Sequence, residues 1–83
     1  MRDISALKEK IFRHFKGDLY LVEDVVKHSE TQELMVLYRA LYGDCGRFVR
    51  PYEMFVEKVP NGKENPTGQT YRFELYTVSS IKK

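Results

Sequence analysis

Two histidines and a single cysteine are the side chains of this 83-residue sequence best suited to metal binding or acid–base catalysis. His14, His28 and Cys45, with Asp44 and Glu53, supply the donor types of a metal site, but their spacing matches no compact ligand pattern. A histidine beside a turn more often hydrogen-bonds a backbone carbonyl or caps a strand end. We therefore predict no metal site and no cofactor.

Nucleophilic and carboxylate catalysis also lack a sequence signal. Ser29 and Ser79 have no nucleophile-elbow context, no glycine-rich phosphate loop is present, and no pair of carboxylates has an informative spacing. So short a chain can hardly build a cleft that excludes water. We predict that the protein is not an enzyme and has no catalytic residue. The alternative is a small enzyme with His14 or His28 as its acid–base group.

A binding surface is the remaining kind of site, because aromatic, cationic and imidazole side chains fall at turns and strand ends. Tyr42 and Tyr52 would provide apolar area and Arg50 a directional contact, although Tyr42 could instead pack inward. Arg39 and Arg50 could also form structural ion pairs with Asp44, Glu53 or another carboxylate. The predicted binding residues are His14, Lys16, His28, Arg39, Tyr42, Arg50 and Tyr52.

Composition indicates one small globular domain spanning residues 1–83, because 42% of the residues are hydrophobic and 31% are charged. One cysteine excludes an intramolecular disulfide, and no apolar stretch has the length of a membrane span or a secretory signal. We expect a cytoplasmic protein that does not associate with membranes. Residues 1–16 have five basic against two acidic side chains, whereas residues 17–81 have seven against ten. Only the two ends are therefore basic.

The hydrophobic pattern predicts a short amphipathic helix followed by strands. Asp3 can cap a helix in residues 1–11, with Ile4, Leu7 and Ile11 on one face. The alternation breaks at Glu23-Asp24, which predicts a bulge that lets Leu21 and Val25 face the same interior. The predicted strands are residues 19–27, 34–42, 47–50, 55–59 and 70–78, with a 3₁₀-like turn at 51–54 and a mobile loop at 60–69.

Five strands with such a corner indicate a mainly β fold: a small SH3-like, bent antiparallel barrel over residues 12–78 behind the N-terminal helix. Two segments, residues 12–17 and 38–55, carry a resemblance over roughly residues 11–76 to the small bacterial family named domain of unknown function 1653. This resemblance implies the same fold but no activity. Phe48 stands where the family favours a larger aromatic, and Cys45 has no evident motif role and should be exposed.

The expected core of this barrel is Leu21, Val36, Tyr38, Ala40, Val49, Met54, Phe55 and Phe73. We expect a monomer or weak dimer that binds a protein or peptide, since SH3-like barrels expose sheet edges and aromatic grooves. The alternative partner is RNA or DNA, bound through Arg13, Lys16 and the C-terminal lysines with aromatic rings stacked on bases. After the interaction module, nucleic-acid binding and the small enzyme, a fourth possibility is an accessory part of a larger assembly.

Overall fold

The computed structural model describes residues 7–76, which form a five-stranded antiparallel sheet and one short helix. The elements are β1 (Ile11–His14), β2 (Leu19–Lys27), β3 (Leu34–Ala40), β4 (Arg47–Pro51), α1 (Tyr52–Phe55) and β5 (Phe73–Leu75). The strand order is β4-β3-β2-β1-β5, so β5 returns to pair with β1. The mainly β, antiparallel prediction is confirmed. The sheet is not closed, because β4 and β5 are its two edges.

Tight turns join the first four strands into a meander. In the β3–β4 turn, Gly43 and Cys45 have φ values of 59° and 57°, and Ala40 N–H donates to the carbonyl of Gly46. Positive φ values suit a short, twisted hairpin connection, and glycine adopts them without steric penalty. Cys45 is exposed in this turn, as predicted.

A bulge in β2 decides which side chains reach the core. The β2–β3 register shifts between Val22 and Asp24, so Glu23 is left out of the pairing. The break at Glu23-Asp24 was predicted correctly, but Val22, with no exposed surface, is the buried residue before it. Leu21 pairs with Arg39 and lies on the opposite face of the sheet, where it is only half-buried.

The core lies on the concave face of the bent sheet, where α1 covers it. Its centre is an aromatic stack in which Phe55 from α1 lies parallel to Phe73 from β5, with ring centroids 4.1 Å apart. Phe12 meets Phe55 edge-on. The core cluster consists of Leu7, Phe12, Val22, Val36, Tyr38, Tyr52, Phe55 and Phe73. Prediction of Val36, Tyr38, Ala40, Phe55 and Phe73 as buried residues is confirmed.

The prediction that Val49 and Met54 are core residues is wrong, because each lies on the side of its element that faces away from the core. Val49 is 57% exposed, since it lies on the convex face opposite Leu37. Met54 is 45% exposed, since the turn at 51–54 is helical and directs Tyr52 and Phe55 inward instead. In a four-residue helix, positions three apart share a face.

The predicted elements at both ends also need correction. Residues 7–9 are a turn and Ile11 starts β1, so the described part of the predicted helix at 1–11 is not helical; residues 1–6 lie outside the described part. The predicted strand at 55–59 contains the end of α1 and a single bridge from Lys58 to Tyr71. Within the described residues, the predicted strand at 70–78 is shorter and consists of β5.

The loop at residues 60–69 is attached to β1 by side-chain hydrogen bonds. Buried Gln69 donates from Nε2 to the carbonyls of Arg13 and Tyr71, and its Oε1 accepts from the Arg13 guanidinium at 2.9 Å. Thr67 Oγ1 donates to the carbonyl of Phe15. These bonds satisfy the polar atoms of the buried amide and hold the loop against the start of the chain.

Candidate functional site

Side chains from four separate segments meet at the open end of the concave face. We call this region the aromatic–basic surface and define it by His14, Tyr20, Tyr42, Phe48 and Arg50. Strand pairing explains the convergence, because paired residues project from the same face of a sheet. His14 pairs with Phe73, Phe48 pairs with Tyr38, and Arg50 pairs with Val36. Tyr38, Val36 and Phe73 are buried, so the surface rests on the core.

The ring of Tyr20 is the centre of this surface. It meets Tyr38, Tyr42 and Phe73 edge-on with centroid distances of 5.4, 5.6 and 5.6 Å. Its hydroxyl shares a 2.7 Å hydrogen bond with the hydroxyl of Tyr42. Burial, followed by this hydrogen bond, raises the pKa of Tyr20, so the hydroxyl stays protonated at neutral pH. Packed edge-on rings hold each other in place with little rotational freedom.

His14 is a neutral donor in this surface. Burial and, in decreasing order, the charges of Arg72, Arg50 and Lys16 lower the pKa of His14 from 6.5 to about 4. Its Nδ1 accepts the backbone N–H of Lys16 at 3.1 Å, so the proton of the neutral ring is on Nε2. The ring lies 4.9 Å from that of Phe73. His14 can therefore donate one hydrogen bond from Nε2 at neutral pH.

Arg50 differs from the other arginines of the described chain in its partners. Arg39 and Arg47 both bind the carboxylate of Glu23, and Arg72 binds Glu57. Arg13 binds Gln69. Arg50 donates from Nε to the hydroxyl of Tyr38 at 3.3 Å and lies over the ring of Phe73, 5.8 Å from its centroid.

No carboxylate within residues 7–76 pairs with Arg50. Its two Nη groups retain hydrogen-bonding capacity, and a guanidinium fork binds carboxylate or phosphate through two parallel bonds. Phe48, 47% exposed, lies two residues before it on β4, and Tyr42, 46% exposed, adds a second ring to the same surface through Tyr20. The arrangement can therefore receive an anionic group that has apolar neighbours.

Three of the seven predicted binding residues, His14, Tyr42 and Arg50, belong to this surface. Lys16 is exposed beside it, close enough to act on the pKa of His14. Tyr52 is buried in the core, so its ring is not available to a partner.

Two further predicted residues lie away from the aromatic–basic surface. His28 begins the β2–β3 turn, where its Nδ1 accepts the backbone N–H groups of Glu30 and Thr31. This is a turn-capping arrangement. Arg39 lies on the convex face, where it and Arg47 share Glu23. Both arginines lower the pKa of Glu23, chiefly through the Arg39 hydrogen bond.

Sequence reasoning missed Tyr20 and Phe48 as members of the surface. Tyr20 lies two residues before Val22, so the period-two pattern of β2 places both on one face. Phe48 lies two residues before Arg50 in the same way. The signal that could have identified them was this shared face, together with pairing across the Gly43 turn.

Other site types have little support in the described chain. No group of three His, Cys, Asp or Glu side chains in residues 7–76 is arranged to hold a metal ion. None of the helices in this part of the chain has the length and apolar character to cross a membrane.

Comparisons with known proteins agree with this architecture. A solved structure described as a protein of the DUF1653 family from Bordetella bronchiseptica is similar to this chain, with a TM-score of 0.70 and 28% sequence identity. The alignment covers 98% of this chain and 100% of that one. No match was found among curated proteins. The sequence model of the family "Protein of unknown function (DUF1653)" matches residues 10–75, and the chain therefore belongs to the DUF1653 family.

Proposed function

We propose that this protein is a non-enzymatic interaction module, which binds a protein or peptide through the aromatic–basic surface. In this proposal the bent sheet acts as an SH3-like scaffold, and the protein works in the cytoplasm as a monomer or weak dimer. The observation that carries it is the state of Arg50: a half-buried guanidinium without a carboxylate partner in the described chain, over the ring of Phe73 and two residues from the exposed ring of Phe48. Arginine and aromatic side chains are the residue types that dominate binding energy at interfaces.

The charge distribution favours a protein partner over a nucleic acid. Nucleic-acid binding relies on several cations that neutralise successive phosphates. Arg39 and Arg47 share the carboxylate of Glu23, and Arg72 pairs with Glu57, so these three arginines already have partners within the protein. One arginine with neutral His14 beside it suits a single carboxylate on a partner, and the exposed rings suit apolar side chains next to that carboxylate.

The test is capture of a partner from a lysate of the source cells with tagged protein. Phe48→Ala is compared with the matched control Met54→Ala, because the two side chains are similarly exposed but lie on different elements. We expect Phe48→Ala to reduce recovery of the partner at least fivefold, about 1 kcal/mol, and Met54→Ala to leave it unchanged.

A nuclease-treated lysate distinguishes the two kinds of partner. Recovery that survives nuclease and falls with Phe48→Ala supports the proposal. Recovery that disappears after nuclease treatment, or falls equally in both variants, contradicts it. Melting temperatures of the two variants close to that of the parent show that any lost binding is not a loss of folding.

A further inference from the structure

Within residues 7–76, no strand pairs with the outer backbone edge of β4. β4 is at one end of the strand order, with β3 as its neighbour on one side. Ala40 N–H donates to the carbonyl of Gly46 at 2.9 Å, which makes this a hydrogen-bonded pair. In an antiparallel ladder, hydrogen-bonded and non-hydrogen-bonded pairs alternate. Phe48 and Arg50 therefore point their backbone groups towards β3, whereas Arg47 and Val49 point theirs outward.

The outward groups are the N–H and C=O of Arg47 and of Val49. No backbone hydrogen bond within residues 7–76 reaches the outward groups of Arg47 or Val49. Pro51 fits this alternation, because its missing N–H would also have pointed outward. The edge thus offers the two donors and the acceptors that an additional strand requires. The other edge, β5, has only three residues.

Successive side chains of β4 project from opposite faces of the sheet. Phe48 and Arg50 project from the concave face, two residues apart, and belong to the aromatic–basic surface. Val49, 57% exposed, projects from the convex face between them. A strand added along β4 would alternate in the same way, because side chains of paired strands face each other on both sides of a sheet. Charge complementarity then calls for an acidic side chain opposite Arg50.

We infer that β4 binds an extended segment of a partner protein as an additional antiparallel strand, with an acidic side chain opposite Arg50 and a large apolar side chain opposite Phe48. The inference rests on the proposed function, since both residues belong to the aromatic–basic surface. Antiparallel pairing matches all four ladders of the sheet. Read from its N-terminus, the bound segment has an acidic, then a β-branched, then an aromatic or long aliphatic residue.

A second copy of this chain fits the edge less well. Pairing of β4 with itself would bring two Arg50 guanidiniums into one pair of strands, and neither has a carboxylate partner within residues 7–76. Like charges at such spacing repel. The carboxylate of a foreign segment instead neutralises Arg50, and its backbone hydrogen bonds use the N–H and C=O groups of Val49.

The probe is a displayed library of random decapeptides selected on the parent protein, from which the enriched sequence is synthesised with a fluorescent label. We expect enrichment of the acidic, β-branched, aromatic order. Binding is then measured by fluorescence polarisation against Arg50→Gln, Val49→Pro and Val49→Thr. Val49→Pro removes an outward N–H without breaking a bond to β3, whereas Val49→Thr keeps that N–H and the β-branched shape.

We expect the dissociation constant to rise about tenfold or more for Arg50→Gln and for Val49→Pro, and by less than about threefold for Val49→Thr. Replacing the acidic residue of the peptide by alanine should abolish the effect of Arg50→Gln. If Val49→Pro does not fold, the other hydrogen bond of this pair, which the peptide N–H donates to the carbonyl of Val49, is tested from the peptide side. N-methylation of the peptide residue opposite Val49 should weaken binding, and N-methylation of the next residue should not.

Three outcomes overturn the inference. Peptides that lose binding with Phe48→Ala but not with Val49→Pro or N-methylation bind the surface without adding a strand, which leaves the proposed function standing. A selection that yields only peptides indifferent to Phe48→Ala, or no peptide at all, overturns both. Sedimentation that shows a dimer of the parent and a monomer of Val49→Pro assigns the edge to a second copy.

Discussion

The low pKa of His14 predicts that the folded protein loses stability as the solution is acidified towards pH 5. His14 binds a proton with a pKa of about 4 in the folded protein, because burial and nearby cations oppose its charge, and of about 6.5 when unfolded. Below pH 6.5 the unfolded chain therefore takes up a proton that the native protein does not. The contribution of His14 to the free energy of unfolding is therefore fully present above pH 6.5 and decreases as the pH falls to about 4.

The size of the effect follows from these two values. Lowering the pH from 7 to 5 crosses the unfolded pKa but not the native one, which at full effect removes roughly 2 kcal/mol from the free energy of unfolding. His14 is partly exposed, so solvent screens the cationic neighbours. We therefore expect a loss of about 1 kcal/mol. Glu23 and Asp24, whose pKa values are lowered by their partners, add a separate loss at lower pH.

Urea denaturation at pH 7, 6 and 5 measures the loss, and the variant His14→Asn isolates it. Asparagine keeps an acceptor for the Lys16 N–H but cannot titrate, so its stability should change little between pH 7 and 5. His28→Gln is the matched control and should retain the loss. An NMR titration midpoint of the His14 ring at pH 6 or above, or equal losses in parent and His14→Asn, would refute the reasoning.

Three further predictions concern stability and are measured by urea denaturation. Phe55→Ala should lower the free energy of unfolding by about 3–5 kcal/mol, because it leaves a cavity against Phe73. The control Met54→Ala, at an exposed position, should lower it by less than about 1 kcal/mol, and equal losses would place Phe55 outside the core. Gln69→Leu should lower it by roughly 2–3 kcal/mol, because the carbonyls of Arg13 and Tyr71 lose the donor that buried Gln69 supplies, and an unchanged midpoint would contradict that role. Cys45→Gly should raise it by up to about 1 kcal/mol, since the residue has a φ of 57°, whereas Cys45→Val should lower it.

The sequence was sufficient to predict the central strands and their bulge. β2 and β3 carry long β-branched and aromatic runs, and the break at Glu23-Asp24 interrupts a clear alternation. Period-two patterns report such local features reliably because each side chain of a strand faces one side of the sheet. Prediction of Val36, Tyr38 and Phe73 as core residues followed from the same pattern.

The remaining features depend on contacts between distant segments. β1 is only four residues long, and it is a strand because β2 and β5 pair with it on either side. Val49 was assigned to the core because its own strand gives no indication of which face is covered. The aromatic–basic surface was predicted in part, from His14, Tyr42 and Arg50. Tyr20 joins it only through ring contacts that pairing of β1, β2 and β3 creates.

The position of β5 has a consequence for synthesis on the ribosome. Four strands emerge in order and can pair as they appear, but Phe73, at the centre of the core, comes from the last described strand and pairs with His14 near the start. Gln69 and Thr67 join late residues to β1 in the same way. A nascent chain that ends before residue 73 has an incomplete aromatic stack. The native aromatic stack therefore forms only after residue 73 has left the exit tunnel, and until then the growing meander exposes apolar surface that this stack covers.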